Sequence, residues 1–166
     1  MSSTNRDALA AEDPAAEVPV APAYSAFSAN PAEDRFYLQT SLGTVHFHPD
    51  PDHNDDLRLI YGEWRPNPNV FIGASFFKNS FYQPTQYVFA GWKFDSLPEA
   101  PGLYFRVSAG LVHGYKGEYQ NKIPFNHHGV APAIVPAVGY CYGRLCSEVI
   151  VFGTSGALLT LGLSLP

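Results

Sequence analysis

Two short stretches of the chain hold residues whose types and spacing could do chemistry. "VHFHPDPDHN" carries His46, His48 and His53, and "FFKNSFYQP" sets Asn79 and Ser80 between aromatic runs. A histidine takes a proton from a hydroxyl readily near neutral pH. A serine hydroxyl activated in this way can attack an ester carbonyl, or can polarise it by hydrogen bonding. An asparagine cannot accept that proton, but its amide can orient a histidine or donate to a developing oxyanion. The same residues also suit a polar loop with solvated histidines. What separates the readings is whether the fold brings the two stretches together.

The elements that must position them are strands. From Arg35 onward, segments of roughly ten residues alternate in polarity between turn signals. The pattern predicts eight strands, near 35–47, 55–65, 69–79, 85–95, 102–114, 131–142, 145–154 and 157–165. The breaks carry Pro-Asp-Pro-Asp, Arg-Pro-Asn-Pro-Asn, Tyr-Gly-Arg and Gly-Thr-Ser-Gly, all turn chemistry. In the last strand Leu159, Leu161, Leu163 and Leu165 share one face, with Thr160, Gly162 and Ser164 on the other. The fifth sets Leu103, Phe105, Val107, Ala109 and Leu111 against Tyr104, Arg106, Ser108 and Gly110.

A soluble sandwich would turn its apolar face inward, whereas a membrane barrel turns it to lipid. Periodicity alone does not choose between them. Connection length helps, because outer loops of membrane barrels are the long ones. With both termini on the inner side, the longest connection, "KGEYQNKIPFNHHG", falls outside, along with the histidine stretch and "KNSF". The expected fold is all-β, an eight-stranded antiparallel transmembrane outer-membrane β-barrel spanning 34–166.

Bulk properties are compatible with this. The 166 residues suit one domain, and no apolar run approaches the ~20 residues of a membrane helix. A net charge of -5 with no basic run argues against a nucleic-acid partner. Residues 1–33, rich in Ala, Pro and acid, are expected to be a disordered tail. They lack the cationic start and apolar run of a secretory signal, so a mis-called start or a removed signal is expected. Cys141 and Cys146 flank a tight turn, as either a cross-hairpin disulfide or two reduced core cysteines.

From about Thr44 onward the chain resembles the outer-membrane lipid A palmitoyltransferases of the PagP family, in its divergent branch. The resemblance rests on "HFHPDPDHN", "FFKNSFYQPTQYVFAGWKF", "GYKGEYQNKIPFN" and "APAIVPAVGYCYG". The family shows Lys-Asp-Ser-Phe with a Gly-Trp pair ten residues after the Phe. Here Lys78-Asn79-Ser80-Phe81 and Gly91-Trp92 keep that spacing.

The resemblance implies transfer of a palmitoyl chain from the sn-1 position of a phospholipid to lipid A. It implies an outer-membrane location, a monomer, and no cofactor or metal. The family's catalytic serine falls on Ser80, its aspartate on Asn79, and its histidine on His46 or His48, with His53 a third candidate. The glycine that floors the acyl pocket falls on Gly91, near the inward positions Phe71, Phe77, Tyr87 and Phe89. A glycine there is expected to leave the deepest slot and so to select C16. Pro132 and Pro136 match prolines that open a strand pair to lipid, while Phe152 stands where another proline is expected. Lys116 and Lys122 in the long outer loop could meet lipid A phosphates. Two other readings fit a small barrel: a lipid A deacylase, whose His-x-Ser strand motif is not apparent, and a non-catalytic structural or adhesive barrel.

Overall fold

The computed structural model describes residues 33–48, 54, 57–95 and 99–166. The expected tail, apart from Glu33, and His53 lie outside the described residues.

Eight antiparallel strands form one closed barrel, each pairing with its sequence neighbours and β8 returning to β1. They are β1 (Phe36–His46), β2 (Ile60–Trp64), β3 (Val70–Lys78), β4 (Pro84–Asp95), β5 (Leu103–His113), β6 (Val130–Tyr142), β7 (Leu145–Phe152) and β8 (Gly156–Leu165). Most ends fall within one or two residues of the sequence expectation. The exception is β2, which begins at Ile60. Phe36 pairs with Leu165, so the two ends of the barrel share one rim, here the proximal rim. β1, β3, β5 and β7 end, and β2, β4, β6 and β8 begin, at the opposite, distal rim, where 79–83, 114–129 and 153–155 connect them.

The polarity is inside out. On β5, Phe105 and Leu111 are exposed while Tyr104, Arg106 and Ser108 are buried. On β8, Leu159, Leu161 and Leu163 face out and Thr160 and Ser164 face in. Trp64, Trp92, Phe94, Phe105 and Tyr140 form an exposed aromatic band near the proximal rim. An exposed apolar surface of this extent, banded by aromatics, is the pattern of a barrel that meets lipid.

The lumen has two layers. In the proximal layer Arg106 bridges two carboxylates: Nη2 donates to Glu63 Oε2 at 2.6 Å and Nη1 to Glu148 Oε1 at 3.2 Å. Arg65 donates to Glu63, Tyr104 and Gln39 donate to Glu148, and Tyr61 and Glu63 also bond each other. Two arginines thus meet two glutamates, and their remaining lone pairs find side-chain donors. Such pairing is what a buried charge requires. The distal layer is more apolar, with Val112, Ala131, Ala133, Val135, Ile150 and Leu158 in one cluster, and buries Ser75 and Thr85 besides.

Cys141 and Cys146 oppose each other across β6 and β7 and form a disulfide. Of the two sequence readings, the oxidised one holds.

Two seams are incomplete. β6 pairs with β5 from Val130 to Tyr140, but with β7 only from Ala137 to Tyr142. The unpaired stretch contains Pro132 and Pro136, each lacking a backbone donor. β1 pairs with β2 only from Phe36 to Thr40. Beyond that point, side chains take over. Thr40 Oγ1 donates to the Leu59 carbonyl at 2.9 Å, and Ser41 Oγ accepts from Leu59 N at 3.0 Å.

Candidate active site at the distal rim

β1 delivers the histidine through an irregularity. Tyr37 and Gln39 point inward, as odd positions should. Between Ser41 and Gly43 the register with β8 slips, leaving Leu42 as an extra, exposed residue. A bulge of this kind reverses parity beyond it. Thr44 and His46 are therefore half-buried on the inner side, while Val45 is exposed.

β3 and β4 deliver the serine through a five-residue turn, 79–83. Asn79 is fully buried and builds that turn. Its Oδ1 accepts from the backbone N–H of Phe81 at 2.9 Å and of Gln83 at 3.0 Å. Tyr82 takes the left-handed conformation, with φ of 59°, that the reversal demands. With the turn held, His46 Nε2 lies 3.1 Å from Ser80 Oγ, across a sequence separation of 34 residues. That distance permits direct proton transfer.

Of the other candidates, His48 is exposed beyond the end of β1. Asn79, the counterpart of the family's aspartate, spends its carbonyl oxygen on the turn. Its structural work is thus to hold Ser80 in place. Sequence reasoning missed Asn54, which is buried and ties the first distal connection to the serine turn. Its backbone N donates to the Ser80 carbonyl at 2.8 Å and its Nδ2 to the Asn79 carbonyl at 3.2 Å. No period or spacing flags an asparagine that acts from inside a loop.

The long distal connection docks on the same turn. The Phe81 ring stacks on Tyr119 with centroids 4.2 Å apart, and Tyr115 meets Phe81 edge-on. Lys122 Nζ sits 5.6 Å from the Phe81 ring centroid, and Lys116 is tied to Gln83 through backbone and side-chain bonds. Burial pushes the Tyr115 phenol up to about 12. This contact therefore stays uncharged through neutral pH.

Below the dyad, the inward aromatics form one cluster. Phe89 stacks on Tyr61, meets Phe71 edge-on and lies against Tyr87, while Phe77 packs at its margin. Gly91 faces inward as expected, but it does not leave an open slot. Phe71 is its cross-strand partner, and the Phe71 ring occupies the space where a side chain at 91 would go. The Arg106 guanidinium lies over the same ring, 3.8 Å from the centroid. Phe71 thus fills the space beside Gly91 and is backed by a charge. A side chain at 91 would also meet the Val107 carbonyl, so Gly91→Met would strain the sheet whatever happens to the lumen.

No protein-family model and no curated protein matches the chain. Among solved structures, one from the de novo design of transmembrane β-barrels aligns with a TM-score of 0.55 at 12% identity. The alignment covers 80% of this chain and 96% of that one. At that identity the likeness supports the barrel fold alone.

Proposed function

We propose that this protein is an acyltransferase of the bacterial outer membrane, moving a palmitoyl-type chain from the sn-1 position of a phospholipid to lipid A. The observation that carries the reading is the 3.1 Å approach of His46 to Ser80 at the mouth of an apolar lumen. The motif resemblance supplies the substrates. A dyad on a water-soluble surface would suggest hydrolysis of many esters. A dyad above a lipid-accessible barrel interior suits an ester whose acyl chain must be housed.

In this reading Ser80 Oγ attacks the sn-1 ester carbonyl while its proton passes to His46 Nε2. The ester C–O bond breaks, and His46 returns the proton to the departing lysophospholipid oxygen. A lipid A hydroxyl then gives its proton to His46 and attacks the acyl-serine. Ser80 leaves, recovers the proton, and the chain ends on lipid A. The unpaired β6–β7 stretch with Pro132 and Pro136 is suited to lateral entry of the donor, because lipid need not break ladder bonds there.

The test is mass spectrometry of lipid A from cells with and without the protein, and with purified protein in vesicles containing sn-1-labelled phospholipid. One added acyl group, lost on Ser80→Ala and reduced about 10²–10⁴-fold on His46→Ala, is the expected result. His48→Ala should stay near the parent. Unchanged lipid A would sink the transferase reading, and an undiminished Ser80→Ala would remove the serine from it.

A further inference from the structure

His46 and Ser80 sit on elements that do not adjoin. His46 ends β1, Ser80 lies in the turn between β3 and β4, and β2 stands between them. β2 does not reach the dyad. Its last distal pairs are Ile60 with Thr40 on one side and Ile60 with Phe76 on the other. His46 and the serine turn both lie beyond those pairs, where no ladder joins β1 to β3. The bonds inside the turn do not fix the distance either. Asn79 Oδ1 accepts from the Phe81 and Gln83 N–H groups, and Asn79 N donates to the Gln83 carbonyl. These contacts set the shape of the turn, not its place beside β1.

The residues described ahead of β2 close that gap. Leu57 and Leu59 are buried, and their carbonyls accept from Ser41 Oγ and Thr40 Oγ1 of β1. Asn54 is buried as well, and it reaches the serine turn twice. Its backbone N–H donates to the Ser80 carbonyl at 2.8 Å and its Nδ2 to the Asn79 carbonyl at 3.2 Å. A carbonyl oxygen can only accept, so the side-chain bond requires a donor at 54. In a buried setting such bonds are electrostatically stronger than in water.

We propose that Asn54 is a positioning residue, which carries the hold of β1 past the short β2 and keeps Ser80 Oγ within reach of His46 Nε2. Its effect on turnover rests on the acyl-transfer reading above; the positioning does not. Misplacing reacting groups by about 1 Å can cost roughly 10²-fold in rate. Asn54→Asp is the informative change. It keeps the shape and the backbone N–H, and it sets an oxygen where the Asn79 carbonyl needs a donor.

The first measurement needs no activity. In a His46→Cys/Ser80→Cys variant of the full-length protein in detergent, dibromobimane reports proximity by bridging the two thiols. Cys141 and Cys146 are joined to each other and do not react. Asn54 holds position 80 through its backbone carbonyl, so the Ser80 replacement leaves that hold in place. Adding Asn54→Asp should slow bridging at least ~10-fold, while monobromobimane labelling of each single-cysteine variant keeps its rate. The second measurement is p-nitrophenyl palmitate cleavage, with palmitoyl transfer from phosphatidylcholine to lipid A beside it. Asn54→Asp should lower kcat about 10²-fold with KM little changed. Added to His46→Ala it should cost little more, because a residue that acts through the dyad then has nothing left to align. A general loss of structure would instead multiply with the His46→Ala loss and would show in thermal unfolding. Unchanged bridging overturns the assignment. So does a kcat within about twofold of the parent, or a loss that multiplies with that of His46→Ala. If the parent cleaves the ester through Ser80 but does not acylate lipid A, the acceptor is wrong and the cleavage assay decides on Asn54. If the parent cleaves no ester, the acyl-transfer reading falls and bridging alone decides the positioning.

Discussion

Phe71 shows how one side chain can override what a neighbouring position suggests. The glycine at 91 has inward parity and the spacing of a pocket floor, and by itself it implies a deep slot. Its cross-strand partner fills that slot with a ring that the Arg106 guanidinium covers. Chain length in the acyl-transfer reading is then set at Phe71. Each methylene buried is worth about 0.8 kcal/mol, so attraction discriminates weakly and the steric stop does most of the selecting. Phe71→Ala should shift product from a mixture of C14, C16 and C18 donors toward the longer chains, as read by mass spectrometry of the acceptor. The same variant should lose about 3–5 kcal/mol in urea unfolding, the usual cost of emptying a buried phenylalanine site. An unchanged product distribution in a destabilised but folded variant would show that Phe71 is packing and not the floor. The dyad was legible in the sequence because residue types and motif spacing survive without coordinates. Its geometry was not, since strict alternation continued through β1 would turn His46 outward. Only the bulge at Ser41–Gly43 turns it in. Phe71 over Gly91 and Asn54 in its loop were hidden for the same reason, as cross-strand and cross-loop contacts have no local signature.

The strands themselves were easier to read, because alternation over eight segments is redundant and turn residues mark each break. What alternation cannot reveal is where two strands stop pairing. β2 was expected to be long, yet the ladder with β1 ends at Thr40, and side-chain oxygens of Thr40 and Ser41 complete the contact. The β6–β7 seam was more predictable, since Pro132 and Pro136 announce missing donors. On the proximal side of that seam the Cys141–Cys146 disulfide and the pairs up to Ala137 hold the strands together. The distal half is therefore free to part while the proximal half is stapled. Extending the register sets Pro136 opposite Val151, since Ala137 pairs with Ile150. Cysteines at 136 and 151, in a background with Cys141→Ser and Cys146→Ser, should form a bond that closes the gap. If phospholipid enters there, the oxidised protein should lose transfer and regain it on reduction, while the background variant is unaffected by either treatment. Full activity in the cross-linked state would place the entry elsewhere, with the short β1–β2 seam the next position to link.

At the scale of the whole barrel, two solvents are kept apart by one charge network. The outer surface is apolar and the distal interior mostly so, while the proximal interior is ionic. Arg106, Glu63, Glu148 and their tyrosine partners span the lumen below the aromatic cluster. A balanced network of this kind is weak evidence of net stabilisation, because desolvation offsets much of the attraction. Breaking it is another matter. Among the described residues, Arg106→Leu strands Glu148 without its only ion-pair partner and leaves Glu63 with Arg65 alone. The expected loss is about 3–5 kcal/mol in urea unfolding of the barrel in micelles. Adding Glu148→Gln to that variant removes the stranded charge while keeping one acceptor oxygen, for Tyr104, so part of the loss should return. The two substitutions would then be coupled rather than additive. Should the double variant instead lose the sum of the two single losses, the layer is held by packing and individual hydrogen bonds. Its charges would then be incidental to the stability of the barrel.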